Sequence, residues 1–148
     1  MDGFDRRLLD LLQQDNRRTY DDLGEELGLS ATAVRRRAAR LREQGVIAAD
    51  VSILNSDQMG ISVIVSVRFE KESHATYEAF KTAMKAAPEV RQCYTVSGEV
   101  DFIVIAHFED LPAYDDWVAE TFLSNKAIAR TTTNVVYRRV KFDTAIPV

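Results

Sequence analysis

The sequence predicts an α+β protein, a helical N-terminal unit followed by a ferredoxin-like sheet domain. Three observations carry this. Up to about Gly45 apolar residues recur at helical spacing, with Leu8, Leu9 and Leu12 on one stripe and Leu23 and Leu27 on another. The turn-rich NSDQMG, Asn55 to Gly60, then interrupts the pattern. Beyond it the elements read strand, helix, strand, strand, helix, strand, the βαββαβ plan of one antiparallel sheet with both helices on one face.

Taken in order, Asp2 is placed to cap a first helix, and Thr19 with Asp22 three residues on resembles a capping box that opens a second. Gly28 ends that second helix, because glycine takes the left-handed conformation a tight turn needs. Ser30 is a good N-cap for a third helix, which Gly45 closes. The product is helix, helix, three-residue turn, helix. The stretch VIAADVSIL that follows is expected to be extended. In the second half the predicted strands are Ile61–Glu70, Val90–Ser97, Val100–Phe108 and about Ala129–Phe142. The predicted helices are about Ser73–Ala87 and about Ala113–Ser124. The domains expected are residues 1–50, a linker strand and turn over 51–60, and residues 61–148.

The 148 residues suffice for one ordinary domain or two small ones. A net charge of −4 and a pI near 5.2 mean that global charge predicts no nucleic-acid partner, so any such function must rest on a local patch. Cys93 is the single cysteine, so no intrachain disulfide forms, which fits a reducing cytoplasm. The acidic N-terminus lacks the features of a signal peptide, and the apolar clusters Ile61–Val67 and Phe102–Ala106 are far too short to span a bilayer. A cytoplasmic protein away from the membrane is the expectation. His74 and His107 stand in no metal-ligand spacing, and the six glycines are dispersed rather than gathered in a phosphate loop. No nucleophile, base or metal site stands out, so neither an enzyme nor a cofactor is expected.

The local patch is the third helix. Between Ser30 and Arg42 there is no acid, and Arg35, Arg36, Arg37, Arg40 and Arg42 are all cationic. At 100° per residue, Ala31, Val34, Ala38 and Leu41 fall on the core side. Thr32, Arg36, Ala39 and Arg40 point away, flanked by Arg35 and Arg37. Small residues let a helix backbone approach base edges, and arginine holds guanine bidentately or pairs with phosphate. In a helix-turn-helix the second helix of the motif enters the major groove. The strands point to a second property. Ile64 alternates with Val63 and Val65, and Ile103 and Ile105 alternate with Phe102 and Val104, so the sheet is apolar on both faces. A ferredoxin-like domain covers only one face with its own helices, which predicts a covering partner, most simply a second copy in a two-fold dimer.

From about Phe4 to Lys141 the chain resembles the Lrp/AsnC (feast/famine) family of transcription regulators. The matching stretches are FDRRLLDLLQQDNR, DLGEELGLSATAVRRRAARLREQGVI and ILN in the first part, and PEVRQCYTVSGEVDF and TTTNVVYRRVK in the second. The resemblance implies a winged helix-turn-helix DNA-binding domain joined by a strand to an effector domain. It further implies dimers built through the sheets that assemble to tetramers or octamers, with a small molecule, most often an amino acid, bound between subunits. Carried over by position, the residues at double-stranded DNA are Ser30, Thr32, Arg36 and Arg37, with Arg40 on phosphate and Arg35 beside them. The effector residues are Ser97, Gly98, Glu99, Val100 and Asp101, faced by Thr133, Asn134, Val135 and Val136. This chain reads Gly-Glu-Val-Asp where the family usually has GDFD or GDYD, so the aromatic is missing at Val100. The competing reading is a small-molecule-binding or assembly protein whose helix-turn-helix gives only weak, non-specific DNA binding.

Overall fold

The computed structural model describes residues 1–71 and 73–148 and divides them into two compact units, Met1–Ile53 with Lys141–Val148, and Leu54–Val140. The first holds α1 (Gly3–Gln14), α2 (Tyr20–Leu27) and α3 (Ala31–Glu43). Both expected caps form as reciprocal capping boxes, Asp2 with Asp5 and Thr19 with Asp22, so each helix start satisfies its own orphan N–H groups. Gly28 adopts φ 69°, and Ser30 accepts the Ala33 N–H at 3.2 Å, which sets the short turn between α2 and α3. Leu8, Leu9, Leu23, Leu27, Val34, Ala38 and Leu41 make the buried core.

The turn also depends on Gly24, which the periodicity does not single out. A Cβ there would lie 2.6 Å from the Leu29 carbonyl oxygen, and the Leu29 N–H donates to the Gly24 carbonyl at 2.9 Å. Only a residue without a side chain lets the two backbones close to this distance.

The second unit contains β1 (Ile61–Phe69), α4 (His74–Ala86), β2 (Val90–Thr95), β3 (Phe102–Phe108), α5 (Leu111–Val118) and β4 (Ile128–Val135). The sheet runs β2-β3-β1-β4, with every neighbouring pair antiparallel. Val63, Val65, Val67, Phe102, Val104 and Ala106 point to the helix side and are fully buried there with Phe80 and Phe122.

Several predicted boundaries move. The stretch after α3 forms no strand among the described residues, so no wing is paired. A strand needs a partner for its backbone groups, and Val46, Val51, Ile53 and Leu54 are instead exposed. The last strand stops at Val135 rather than Phe142. The Val136 N–H makes one more bond, to the Ser62 carbonyl, beside the start of β1, and Tyr137 and Val140 are then exposed. Helix α5 begins earlier than predicted, since Asp110 caps it and Pro112 lies in the first turn, where a missing N–H costs nothing. It passes at Ala119–Leu123 into a π-helical turn.

Candidate DNA-reading face and effector loop

The five arginines of α3 do not share one environment. Arg37 Nη1 lies 2.8 Å from both Asp2 Oδ2 and Asp5 Oδ1, and Arg40 Nη2 lies 2.7 Å from each Asp5 oxygen. Arg42 clamps Asp50 with Nε and Nη2 at 2.8 and 3.1 Å. The Arg35 guanidinium stacks over Tyr20, 5.6 Å from the ring centroid. Arg36 is exposed and has no ion-pair or hydrogen-bond partner among the described residues. The outward face at i, i+3, i+4 spacing is therefore Thr32, Arg35, Arg36 and Ala39. Arg37 and Arg40, expected at DNA, are tied to the start of α1. Ser30 spends its oxygen on the cap, leaving its hydroxyl hydrogen to donate.

Asp5 makes this division. It is the one buried charged residue among those described, 1% exposed. Its oxygens accept the Asp2 N–H at 2.9 Å and the two guanidinium groups. Burial raises its pKa, but the Asp2 N–H and Arg37 outweigh that and hold the carboxyl below the usual range. Asp2 is lowered as well, by the Asp5 N–H and then by Arg37. The signal was present in the sequence: Asp5 stands three and four residues before Leu8 and Leu9, on the buried stripe.

The effector loop joins β2 to β3. The Val96 N–H donates to the Asp101 carbonyl at 3.1 Å and closes the loop, which Gly98 crosses at φ 132°. Asp101, expected among the effector residues, has both carboxylate oxygens engaged. Oδ2 accepts the Phe69 N–H at 2.7 Å, and Oδ1 accepts the Tyr77 hydroxyl of α4. Its own N–H donates to the Val67 carbonyl at 2.9 Å. Tyr77, not foreseen as a site residue, thus fixes the loop to the helix layer.

One chain does not bring the two halves of the predicted effector set together. The loop sits at the level of Val67 on the β3 side of β1, whereas β4 on the other side pairs Thr133 with Val65 and Val135 with Val63. Two to four residues of strand, roughly 7 to 13 Å, separate Val67 from Val65 and Val63. The set also divides across the sheet: Thr133 turns to the helix side and hydrogen-bonds the Tyr114 hydroxyl, while Asn134 sits opposite Ile64 on the uncovered side. That uncovered side carries Ile64, Ile103, Ile105 and Tyr94 beside Ser62 and His107.

A helix-turn-helix with arginines on its second helix, followed by a ferredoxin-like domain with a shaped loop, defines a DNA-binding transcription regulator with a ligand-binding domain. Comparison with known proteins agrees over the whole length. Residues 1–42 match the AsnC-type helix-turn-helix domain, and residues 62–146 match the Lrp/AsnC ligand binding domain. The chain belongs to the Lrp/AsnC family of transcription regulators. It is 38% identical, over all of its length and 89% of the relative's, to the uncharacterized HTH-type transcriptional regulator y4tD of Sinorhizobium fredii. It is 33% identical, over 95% of its length and 87% of the relative's, to the leucine-responsive regulatory protein of Escherichia coli K12. Among solved structures, the transcriptional regulator NMB0573 of Neisseria meningitidis, in complex with L-Met, superposes with a TM-score of 0.90 at 26% identity. That match covers 99% of this chain and 96% of the other. No described helix is long and apolar enough to cross a membrane.

Proposed function

We propose that Thr32, Arg35 and Arg36 form the reading face for double-stranded DNA, and that an amino acid or related metabolite bound between subunits at the Ser97–Asp101 loop controls it. The observation that carries the first part is the division of the arginines: Arg36 stands outward and unpaired, while Arg37 and Arg40 hold α3 against α1. Those two act on DNA through the pose of the helix, and Ser30 contributes its free hydroxyl hydrogen at the phosphate backbone.

The second part rests on the loop and on the split effector set. With Asp101 engaged inside the chain, its work is to set the loop, and the N–H groups and hydroxyl of Ser97, Gly98, Glu99 and Val100 face the ligand. Thr133, Asn134, Val135 and Val136 complete the site only from another copy. The amino-acid class is supported by the L-Met bound to the Neisseria relative. The isoleucine-bearing open face favours a homodimer, assembling further to a tetramer or octamer, and a lone cysteine with a DNA partner favours the cytoplasm.

Selection of genomic fragments by the purified protein, followed by titration of one recovered site with and without each amino acid, tests this reading. A short pseudo-palindrome, with affinity falling steeply as salt rises and shifted by one amino acid, is the expected result. Uniform, salt-labile binding with no enriched motif would contradict it.

A further inference from the structure

The last eight residues, Lys141–Val148, leave the sheet domain and group with the DNA-binding unit. Their seat is built. The Gln13 carboxamide, in the last turn of α1, takes both ends of one residue's backbone: Nε2 donates to the Ile146 carbonyl at 3.0 Å, and the Ile146 N–H donates to Oε1 at 2.7 Å. A side-chain amide thus pairs with the segment as a neighbouring strand would. Asp143 shapes the approach by accepting the Ala145 N–H at 2.9 Å. Pro147 follows with a fixed φ and no N–H to satisfy. Val148 then packs against the leucine core of the unit. Around this contact runs an open groove of about 840 Å³, lined by Leu12, Ile47, Val51 and Ile53 together with Ile146 and Val148.

We propose that residues 141–148 are a strap, an in-chain peptide ligand of the DNA-binding unit, whose seating on Gln13 keeps α1 in the pose that presents α3. Beyond the packing of Leu8 and Leu9, helix α1 carries a polar anchor at each end. Near its start, Asp2 and Asp5 carry Arg37 and Arg40 of α3; near its end, Gln13 carries the strap. Loosening the strap frees the end of α1 and, through the rigid helix, the anchors of α3. The strap is also the covalent continuation of the ligand-binding unit, which ends at Val140. A shift in that unit's C-terminal exit is therefore felt at Gln13 without any contact having to be made or broken between the units.

The DNA readout rests on the reading proposed above; the seat itself does not. Hydrogen exchange on the full-length protein tests the seat first. The Ile146 amide is expected to exchange at least about tenfold more slowly than an unstructured peptide, as one well-made hydrogen bond requires. Gln13→Ala, which keeps a good helix former in α1, should erase that protection and leave the amides of β1 and β3 unchanged. Removal of residues 144–148 is the second variant. Both are expected to weaken binding to a wild-type-selected duplex of about 30 bp, long enough for two half-sites, by roughly threefold to tenfold. An Ile146 amide that exchanges at the free-peptide rate in the wild-type protein overturns the strap. A released tail with unaltered DNA affinity overturns its role in presenting α3. Failure to recover any selected duplex would count against the DNA reading and leave the exchange result standing.

Discussion

In the N-terminal unit a single chain completes its candidate site; in the C-terminal unit it does not. Three helices and the stretch that follows them sort the arginines of α3 into two that are anchored by Asp5, one clamped by Asp50, and an outward pair at positions 35 and 36. In the sheet domain, chain order places the effector loop and the 133–136 segment on opposite sides of β1, and adjacent residues of β4 face opposite ways. The difference follows from geometry. Helix side chains three and four apart share a face, so a short motif gathers its own site. Strand neighbours alternate faces, so a site that uses consecutive strand residues needs a surface from elsewhere. On the reading proposed above, DNA contact belongs to each chain by itself, whereas ligand sensing needs a second copy.

The strongest way to break this comparison is at Gly24. Gly24→Ala places a methyl 2.6 Å from a backbone oxygen and is expected to cost the DNA-binding unit about 3 kcal/mol. Denaturation followed by the single Trp117 of the sheet domain should stay unchanged while the helical unit melts early. Next is Asp5→Ala. Losing the buried carboxylate strands Arg37 and Arg40, which are partly solvated, so the loss should be about 2 kcal/mol rather than the full cost for a deeply buried pair. DNA affinity should fall with stability, and equal stability in a urea melt would show that Asp5 anchors nothing.

Asp101→Ala sharpens the other half. It removes the acceptor of the Phe69 N–H and the Tyr77 hydroxyl, and should cost the sheet domain about 1–2 kcal/mol while abolishing the amino-acid response and sparing DNA binding. An unaltered response would place the ligand elsewhere. The pH dependence is smaller and gathers in the helical unit, with Glu78 of α4, lowered by its bond from Lys81, as the counterpart in the sheet domain. Folding lowers the carboxyl pKa of Asp2 and Asp5, so the unfolded chain takes up protons first as pH falls. Their contribution is complete above the ordinary value of 3.8 and fades below it, as pH passes through the lower folded values. Asp22 and Asp50 share that direction, so Asp5→Asn should flatten the acid loss in a melting series without abolishing it.

The fold was legible because the two periods are clear and the caps are written in the sequence: Asp2, Thr19, Ser30 and Gly28 all act as their spacing implies. The outward position of Thr32 and Arg36 was legible for the same reason. A helical wheel, however, says which way an arginine points and nothing of what meets it. Arg40 lies on the outer side of the wheel, yet its length brings it back to Asp5. Asp5 itself was readable from its place on the Leu8–Leu9 stripe, but an acid there is ordinarily taken as a cap. The extent of the last strand was not readable, because Val135 and Val140 are equally suited to a strand and only the start of β1 decides where pairing stops. The strap was hidden for the same reason: KFDTAIPV has no period, and its partner is one glutamine 133 positions away.

The central claim is that the arginine cluster is divided into readers and anchors, and the salt dependence of DNA binding tests it most directly. For one selected duplex, log affinity is measured against log salt for the wild-type protein, Arg36→Ala and Arg40→Gln. Arg36→Ala should leave stability within about 0.5 kcal/mol, lower affinity about tenfold and reduce the slope by about one. Arg40→Gln should lower stability and keep the wild-type slope. A full slope in Arg36→Ala together with a reduced slope in Arg40→Gln would contradict the division and return Arg40 to the phosphate backbone.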